Sequence, residues 1–187
     1  MTDDAPLLDA LAVIQARGAI GERSLPAAVA HADRFVDLIP PGARSLVDLG
    51  SGGGLPALVI AWRRPQLKVT MVERRATRAD LLRRAVSALG LGDRVEVRAI
   101  DAQRLCEEAP HDFEVVTARS FADPGTTVEM IDELLASGGM ALVSEPPTDR
   151  SDAWRRCLAE HPQLVDGGVH QGIRRLVRPA DVPRETS

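Results

Sequence analysis

The sequence predicts an α/β fold: a mainly parallel, twisted sheet with helices on both faces and a C-terminal antiparallel hairpin. Three observations lead there. From Ser45 onward, apolar strand-like runs alternate with helix-like segments, the pattern of a parallel sheet covered on both sides. The run Leu46-Val47-Asp48-Leu49 opens directly into Gly50-Ser51-Gly52-Gly53-Gly54-Leu55-Pro56, a strand, a glycine loop and a helix start in succession. Past Pro146-Pro147, two short alternating runs flank Gly172, as the arms of a hairpin would.

The elements follow in order. Residues Pro6–Gln15 carry apolar side chains at helical spacing, and Arg17-Gly18-Ala19-Ile20-Gly21 breaks that pattern. A second helix starts after Ser24, its N-cap, with Pro26 in the first turn, and stops at Pro40-Pro41-Gly42. Ser45–Leu49 is the first strand, Leu55–Trp62 the first helix of the alternating part, and Leu67–Val72 the second strand, closing on Glu73. Thr77 caps a helix through Leu89, which Gly90 and Gly92 end. Val95–Ala99 is a short strand, followed by Asp101 and a brief helix to Glu107. Phe113–Ala118 is a continuous apolar strand, Pro124–Leu135 a helix stopped by Gly138-Gly139, and Met140–Val143 the fifth strand. Ser151–Glu160 is one more helix, then Leu164–Val169 and Ile173–Val177 pair. Residues from Pro179 form a disordered tail. Val47, Leu49, Val69, Val72, Val97, Val115, Val116, Ala141 and Val143 are the expected buried strand residues.

Composition narrows the chemistry. The 187 residues are enough for a full core, and 44% hydrophobic with 27% charged residues is ordinary for a globular chain. Aromatic residues are only 3%, with no Tyr, so stacking platforms for single-stranded nucleic acid can hardly be built. Cys106 and Cys157 form no C-x-x-C pair and read as buried or free thiols. The acidic start Met1-Thr2-Asp3-Asp4 lacks a basic signal region and no run has the length of a membrane span, so a cytoplasmic protein without membrane contact is expected. His31, His111, His161 and His170 show no metal-ligand spacing, and no metal is expected. Net charge is −4, yet Trp62 to Arg104 holds eleven Lys/Arg against five Asp/Glu, a surplus of +6 that leaves −10 for the rest. Such segregation marks either a nucleic-acid face or a solvated Arg-rich exterior.

The glycine loop carries the first chemistry. Glycines accept positive φ and let a ligand come close, and the helix behind the loop offers free N–H groups. The glycines stand at 50, 52 and 54, so Leu55 occupies the third position of a dinucleotide fingerprint, which disfavours a nicotinamide enzyme. No phosphate loop of the G-x-x-x-x-G-K-[ST] type is present. Glu73, 19 residues after Gly54 at the end of the second strand, can accept from both ribose hydroxyls of a nucleoside.

An acidic residue followed by G-x-G-x-G resembles motif I of the class I S-adenosyl-L-methionine (SAM) methyltransferases, and Glu73 resembles their motif II. Gly54-Leu55-Pro56 together with Arg119-Ser120-Phe121-Ala122 after the fourth strand resembles the RsmG (GidB) family, which methylates guanine N7 in 16S ribosomal RNA; Gly18-Ala19-Ile20-Gly21 resembles that family's G-x-I-G. The resemblance spans about residues 20 to 145. It implies the class I methyltransferase Rossmann-like fold in one domain, with N-terminal helices over 1–42, a cofactor core over 45–146 and a C-terminal helix and hairpin over 147–178. It implies SAM as cofactor, S-adenosyl-L-homocysteine as product, and ribosomal RNA or the small ribosomal subunit as partner. Cofactor-binding residues would be Asp48, Gly50, Ser51, Gly52, Gly54, Leu55, Glu73, Asp101, Ala102, Gln103 and Arg119, with Arg119 and His31 in catalytic roles.

The chain departs from the family at two points, besides an N-terminal helical segment that is short for the family. Ser144-Glu145 stands where the family carries Lys-Gly, and Ala30-His31 followed by Asp33-Arg34 replaces an Arg-His pair followed by Asp-Ser. The first departure predicts less positive charge where RNA would sit. If RNA is the acceptor, Arg78, Arg83 or Arg84 would contact its phosphates. The other acceptor readings are a small molecule or another RNA in a diverged paralogue, or a SAM-binding protein without catalysis. No [DNS]-P-P-[YFW] tetrad and no placed nucleophilic cysteine is present, so amino-group and cytosine-C5 methylation of bases are disfavoured.

Overall fold

A computed structural model describes residues 3–22 and 24–180. Seven strands form one sheet: β1 (Ser45–Leu49), β2 (Lys68–Val72), β3 (Val95–Arg98), β4 (Phe113–Ala118), β5 (Leu135–Ser144), β6 (Val165–His170) and β7 (Ile173–Val177). Their order is β3-β2-β1-β4-β5-β7-β6. The first five run parallel, and β7 pairs antiparallel with both β5 and β6. The helices are α1 (Ala5–Ala16), α2 (Leu25–Leu38), α3 (Ala57–Arg63), α4 (Ala76–Ala88), α5 (Ala102–Glu108), α6 (Pro124–Leu134) and α7 (Ser151–Ala159).

Strand pleating sorts the core into two layers, because successive side chains point to opposite faces. Leu46, Val69 and Val115, in register with one another, join the apolar cluster under α1 to α4. Val47 and Val116, one residue on, join the cluster under α5 to α7. Both layers are dry, with Leu46, Val47, Val115 and Val116 all at 0% exposure, which is why these strands read as near-continuous apolar runs.

Three sequence expectations need correction. Val97 is only half-buried, since β3 is an edge strand with one neighbour. Thr77 does not cap α4: the N-cap is Arg75, and Thr77 lies within the helix. Gly138-Gly139 does not end a helix: α6 stops at Leu134, and β5 runs on through both glycines with a register shift between Phe113 and Val115 of β4. A side chain at Gly139 would meet the Glu114 carbonyl at 3.0 Å, so the irregularity needs glycine there. Glu145, in the position where the family carries Gly, is held in ion pairs. Its carboxylate accepts from Arg174 Nε at 2.7 Å and Arg150 at 3.2 Å, and the Arg174 guanidinium lies 5.2 Å from the ring centre of buried Trp154. The expected loss of positive charge is therefore offset locally by two arginines. The tail expected from Pro179 falls, beyond Ala180, outside the described residues.

The N-terminal helices are tied to the sheet layer. Arg63 of α3 pairs with Asp4 before α1 and, at 3.1 Å, with Asp33 of α2. Arg64 donates to the carbonyls of Ile39 and Pro40 at 3.1 and 2.7 Å, fixing the end of α2. Gln15 Nε2 donates to the Gly21 carbonyl at 2.8 Å and holds the 18–21 loop in place. Both thiols are free, and Cys106 is buried against Met130. Among the described residues, no helix is long and apolar enough to cross a membrane.

Candidate functional site

Strand order reverses direction at β1: the chain moves to β2 on one side and later places β4 on the other. In open α/β sheets the crevice at such a switch point, beyond the carboxyl ends of the strands, is where ligands bind. Here Gly50 follows β1, Glu73 follows β2, Asp101 follows β3 and Arg119 follows β4, so the sequence-predicted residues converge at one end of the sheet.

Two cavities occupy that end. One, about 340 Å³, is lined by Gly50, Glu73, Asp101, Ala102 and Gln103 among the expected residues, with Arg74, Arg75, Arg78, Phe121 and Met130 beside them. The other, about 230 Å³, is lined by Gly50, Ser51, Gly52, Gly53, Leu55 and Arg119, and closed by Ala19, Ile20 and Gly21 of the N-terminal loop.

The glycine loop folds back tightly. The backbone N–H of Ser51 donates to the Val72 carbonyl at 2.9 Å, and that of Gly54 to the Ser51 carbonyl at 2.7 Å. Gly50, Gly52 and Gly54 all have positive φ. Gly53 serves a different purpose: a side chain there would meet Ile20 Cγ1 at 2.4 Å and the Ala19 carbonyl at 2.6 Å, so its absence lets the 18–21 loop seat on the glycine loop. Gly54 lies against Leu58 and Leu82 and lines neither cavity, so its place is the seating of the loop on α3 and α4.

Glu73 is 5% exposed. One carboxylate oxygen accepts from the Gly52 N–H at 3.0 Å and the other from the Arg75 N–H at 2.9 Å, so this side chain clamps the glycine loop to the start of α4. A carboxylate has about four acceptor positions, which leaves room for two ribose hydroxyls. Asp101 caps α5 by accepting from the Gln103 N–H at 3.1 Å, presenting the first turn of that helix to the larger cavity.

Asp48 is 1% exposed and stands opposite Thr117 in the β1–β4 register. Its Oδ1 accepts from Thr117 Oγ1 at 2.7 Å, while Oδ2 has no hydrogen-bond partner. Burial pushes its pKa up to about 6, against the Thr117 and Ser51 hydroxyls and the Arg119 charge, which favour the ionised form. At Ser120 the chain takes φ +51°, a left-handed conformation unusual outside glycine. Across that turn Arg119 lines the smaller cavity and Phe121 the larger, with Ser120 in both.

His31 lines neither cavity. Its Nε2 is 3.5 Å from Ser144 Oγ at the carboxyl end of β5, and its ring meets Phe35 edge-on with centroids 6.0 Å apart. Of the arginines expected on RNA, Arg83 is engaged by Asp80 at 2.8 Å and by the Val97 carbonyl, Arg84 is exposed, and Arg78 lines both cavities.

Residues 29–153 match the family described as rRNA small subunit methyltransferase G, GidB. The chain belongs to the GidB family. Its relatives include proteins named ribosomal RNA small subunit methyltransferase G from Acidothermus cellulolyticus, 34% identical over 86% of this chain and 69% of that protein, and from Acidiphilium cryptum, 33% identical over 73% of this chain and 63% of that protein. The chain therefore spans about two thirds of the length of these GidB relatives. Among solved structures, an O-methyltransferase from Bacillus cereus in complex with S-adenosylhomocysteine superposes with a TM-score of 0.68 over 95% of this chain and 92% of that one, at 20% identity. The fold is the class I methyltransferase fold, and SAM is the cofactor of the GidB family.

The GidB site of this chain fits that cofactor on two observations. Asp48 keeps a buried carboxylate oxygen without a partner, a charge of the sign that the cofactor's α-ammonium requires. Glu73 keeps acceptor capacity beside a cavity large enough for a nucleoside. Sequence reasoning did not place Arg78 or Phe121 among the cofactor-site residues, though both line the cavities there. Phe121 had a signal in the Arg119-Ser120-Phe121-Ala122 run. Arg78 had only its place one turn into the helix after Glu73.

Proposed function

We propose that this chain is a SAM-dependent methyltransferase acting on guanine N7 of 16S ribosomal RNA. The single observation that supports it most is the pair of cavities at the β1/β4 switch point that share Gly50, Arg78 and Ser120, with Glu73 at one and Arg119 at the other, in a chain of the GidB family.

When bound, the cofactor supplies an electrophilic methyl group. Glu73 holds the nucleoside sugar through its free acceptor positions, and the first turn of α5 at Ala102 and Gln103 meets the base. Gly50, Ser51, Gly52 and Leu55 bound the amino-acid end, with Asp48 as the negative charge behind them. Arg119 stands at the cofactor end of β4 and orients the reacting end of the site. Guanine N7 has an exposed lone pair, and no proton leaves to form the product. The chain therefore needs position and water exclusion, and no general base. His31, on the acceptor side beside Ser144, orients the acceptor.

The acceptor is recognised through its backbone phosphates as well as the base. Arg74 and Arg75, exposed at the mouth of the larger cavity, carry no ion pair among the described residues and suit that task. The test is methyl transfer to small ribosomal subunits that lack the guanine-N7 mark, with protein-free RNA and small-molecule extracts in parallel. Transfer to subunits or RNA at guanine N7 supports the assignment. Transfer only to a small molecule, or cofactor binding without transfer, refutes it.

A further inference from the structure

We infer that Arg78 is a further cofactor-binding residue, the cation that holds the α-carboxylate of the cofactor's amino-acid part; this rests on the SAM assignment above. Arg78 sits in the first turns of α4, five residues after Glu73. With Gly50 and Ser120 it is one of three residues common to both cavities, so its side chain lies where the nucleoside and amino-acid parts of a bound cofactor must join. One guanidinium nitrogen comes within 3.9 Å of where a side chain on Gly52 would begin, placing the charge over the glycine loop itself.

Among the described residues, the acidic groups nearby accept from donors other than Arg78. Glu73 accepts from the Gly52 and Arg75 N–H groups. Asp80 is paired with Arg83 on the same helix. Asp101 caps α5. Arg119, the other cation on the smaller cavity, acts on Asp48. Arg78 is half-buried, and among the described residues its guanidinium has neither a hydrogen bond nor an ion pair. A guanidinium partly withdrawn from water and left unpaired is unfavourable unless an anion comes to it. The cofactor brings one anion, its α-carboxylate, and the planar fork of arginine matches a carboxylate with two parallel bonds. Asp48, buried behind the glycine loop and lining neither cavity, would then supply the charge for the ammonium, and Arg78 the fork for the carboxylate.

The experiment is calorimetry of the full chain and of Arg78→Gln with two probes, S-adenosylhomocysteine and 5′-methylthioadenosine. The second keeps the nucleoside and thioether but has no amino-acid part. Arg78→Gln should lose at least about tenfold in affinity for S-adenosylhomocysteine and leave 5′-methylthioadenosine unchanged. Arg83→Gln, on the same helix, should change neither. Equal weakening of both probes, or of neither, would overturn the assignment. So would unchanged S-adenosylhomocysteine binding with weakened RNA binding, which would make Arg78 a phosphate contact. A wild-type chain that binds neither probe would overturn the cofactor assignment itself, and the role of Arg78 with it.

Discussion

Replacing Asp48 by Asn isolates the buried charge at the heart of the site. Asp48 is 1% exposed, and burial pushes its pKa from an ordinary 3.8 up to about 6. The sign follows from linkage. The folded state holds the proton more tightly than the unfolded state, so this group favours folding most below pH 3.8, and the benefit is lost as pH rises through about 6. The whole change is worth about 3 kcal/mol, of which about 2 kcal/mol falls between pH 4.5 and pH 8. Asn keeps an oxygen for the Thr117 hydroxyl and does not titrate, but it puts an amide where Oδ2 has no partner, a pH-independent cost of about 1–3 kcal/mol. Urea unfolding of both proteins from pH 4.5 to pH 8 reads the difference directly. Relative to wild type, Asp48→Asn should gain about 2 kcal/mol across that range, while its affinity for S-adenosylhomocysteine at pH 8 falls. A stability difference constant with pH would refute the buried-charge account.

Other substitutions test the rest of the site. Glu73→Ala should weaken SAM and S-adenosylhomocysteine about 10- to 100-fold by calorimetry, since it removes the proposed ribose acceptor and unclamps Gly52 from Arg75. Gly53→Ala should cost about 1–3 kcal/mol in urea unfolding and lower cofactor affinity, because the new methyl would push Ile20 and the Ala19 carbonyl off the glycine loop. Glu145→Ala should destabilise the fold by about 1–3 kcal/mol, leaving buried Arg174 with Asp166 as its remaining carboxylate partner. His31→Ala should lower turnover and leave S-adenosylhomocysteine affinity unchanged, as His31 lines neither cavity.

How much of this was legible in the sequence depended on whether a signal was local. Ser45–Leu49 and Phe113–Ala118 are strands at the boundaries their apolar runs predict, because both are central and buried on both faces. Gly138-Gly139 misled because glycine ends a helix and bulges a strand equally well, and the backbone around Gly139, the Ala136 carbonyl and the Glu114 carbonyl of the neighbouring strand, decides which. Val97 looked like its neighbours until the sheet order put β3 at an edge. The glycine loop and Glu73 could be found because their chemistry depends on backbone freedom and on position at a strand end. Arg78 could not, since its lack of a partner is a fact about Asp80, Glu73 and Asp101 in space. The partner of Glu145 was hidden for the same reason: Arg174 lies 29 positions further on, and only the β5–β7 pairing brings it near.

The most direct test of the central claim is the position of the methyl group in small-subunit RNA. Subunits from cells lacking the guanine-N7 mark are incubated with this chain and labelled SAM, and the digested RNA is read by mass spectrometry. The account predicts one labelled 7-methylguanosine in 16S RNA, abolished with Arg119→Ala and strongly reduced with Glu73→Ala. Label at another atom or base, or no label from a chain that binds S-adenosylhomocysteine, would contradict it.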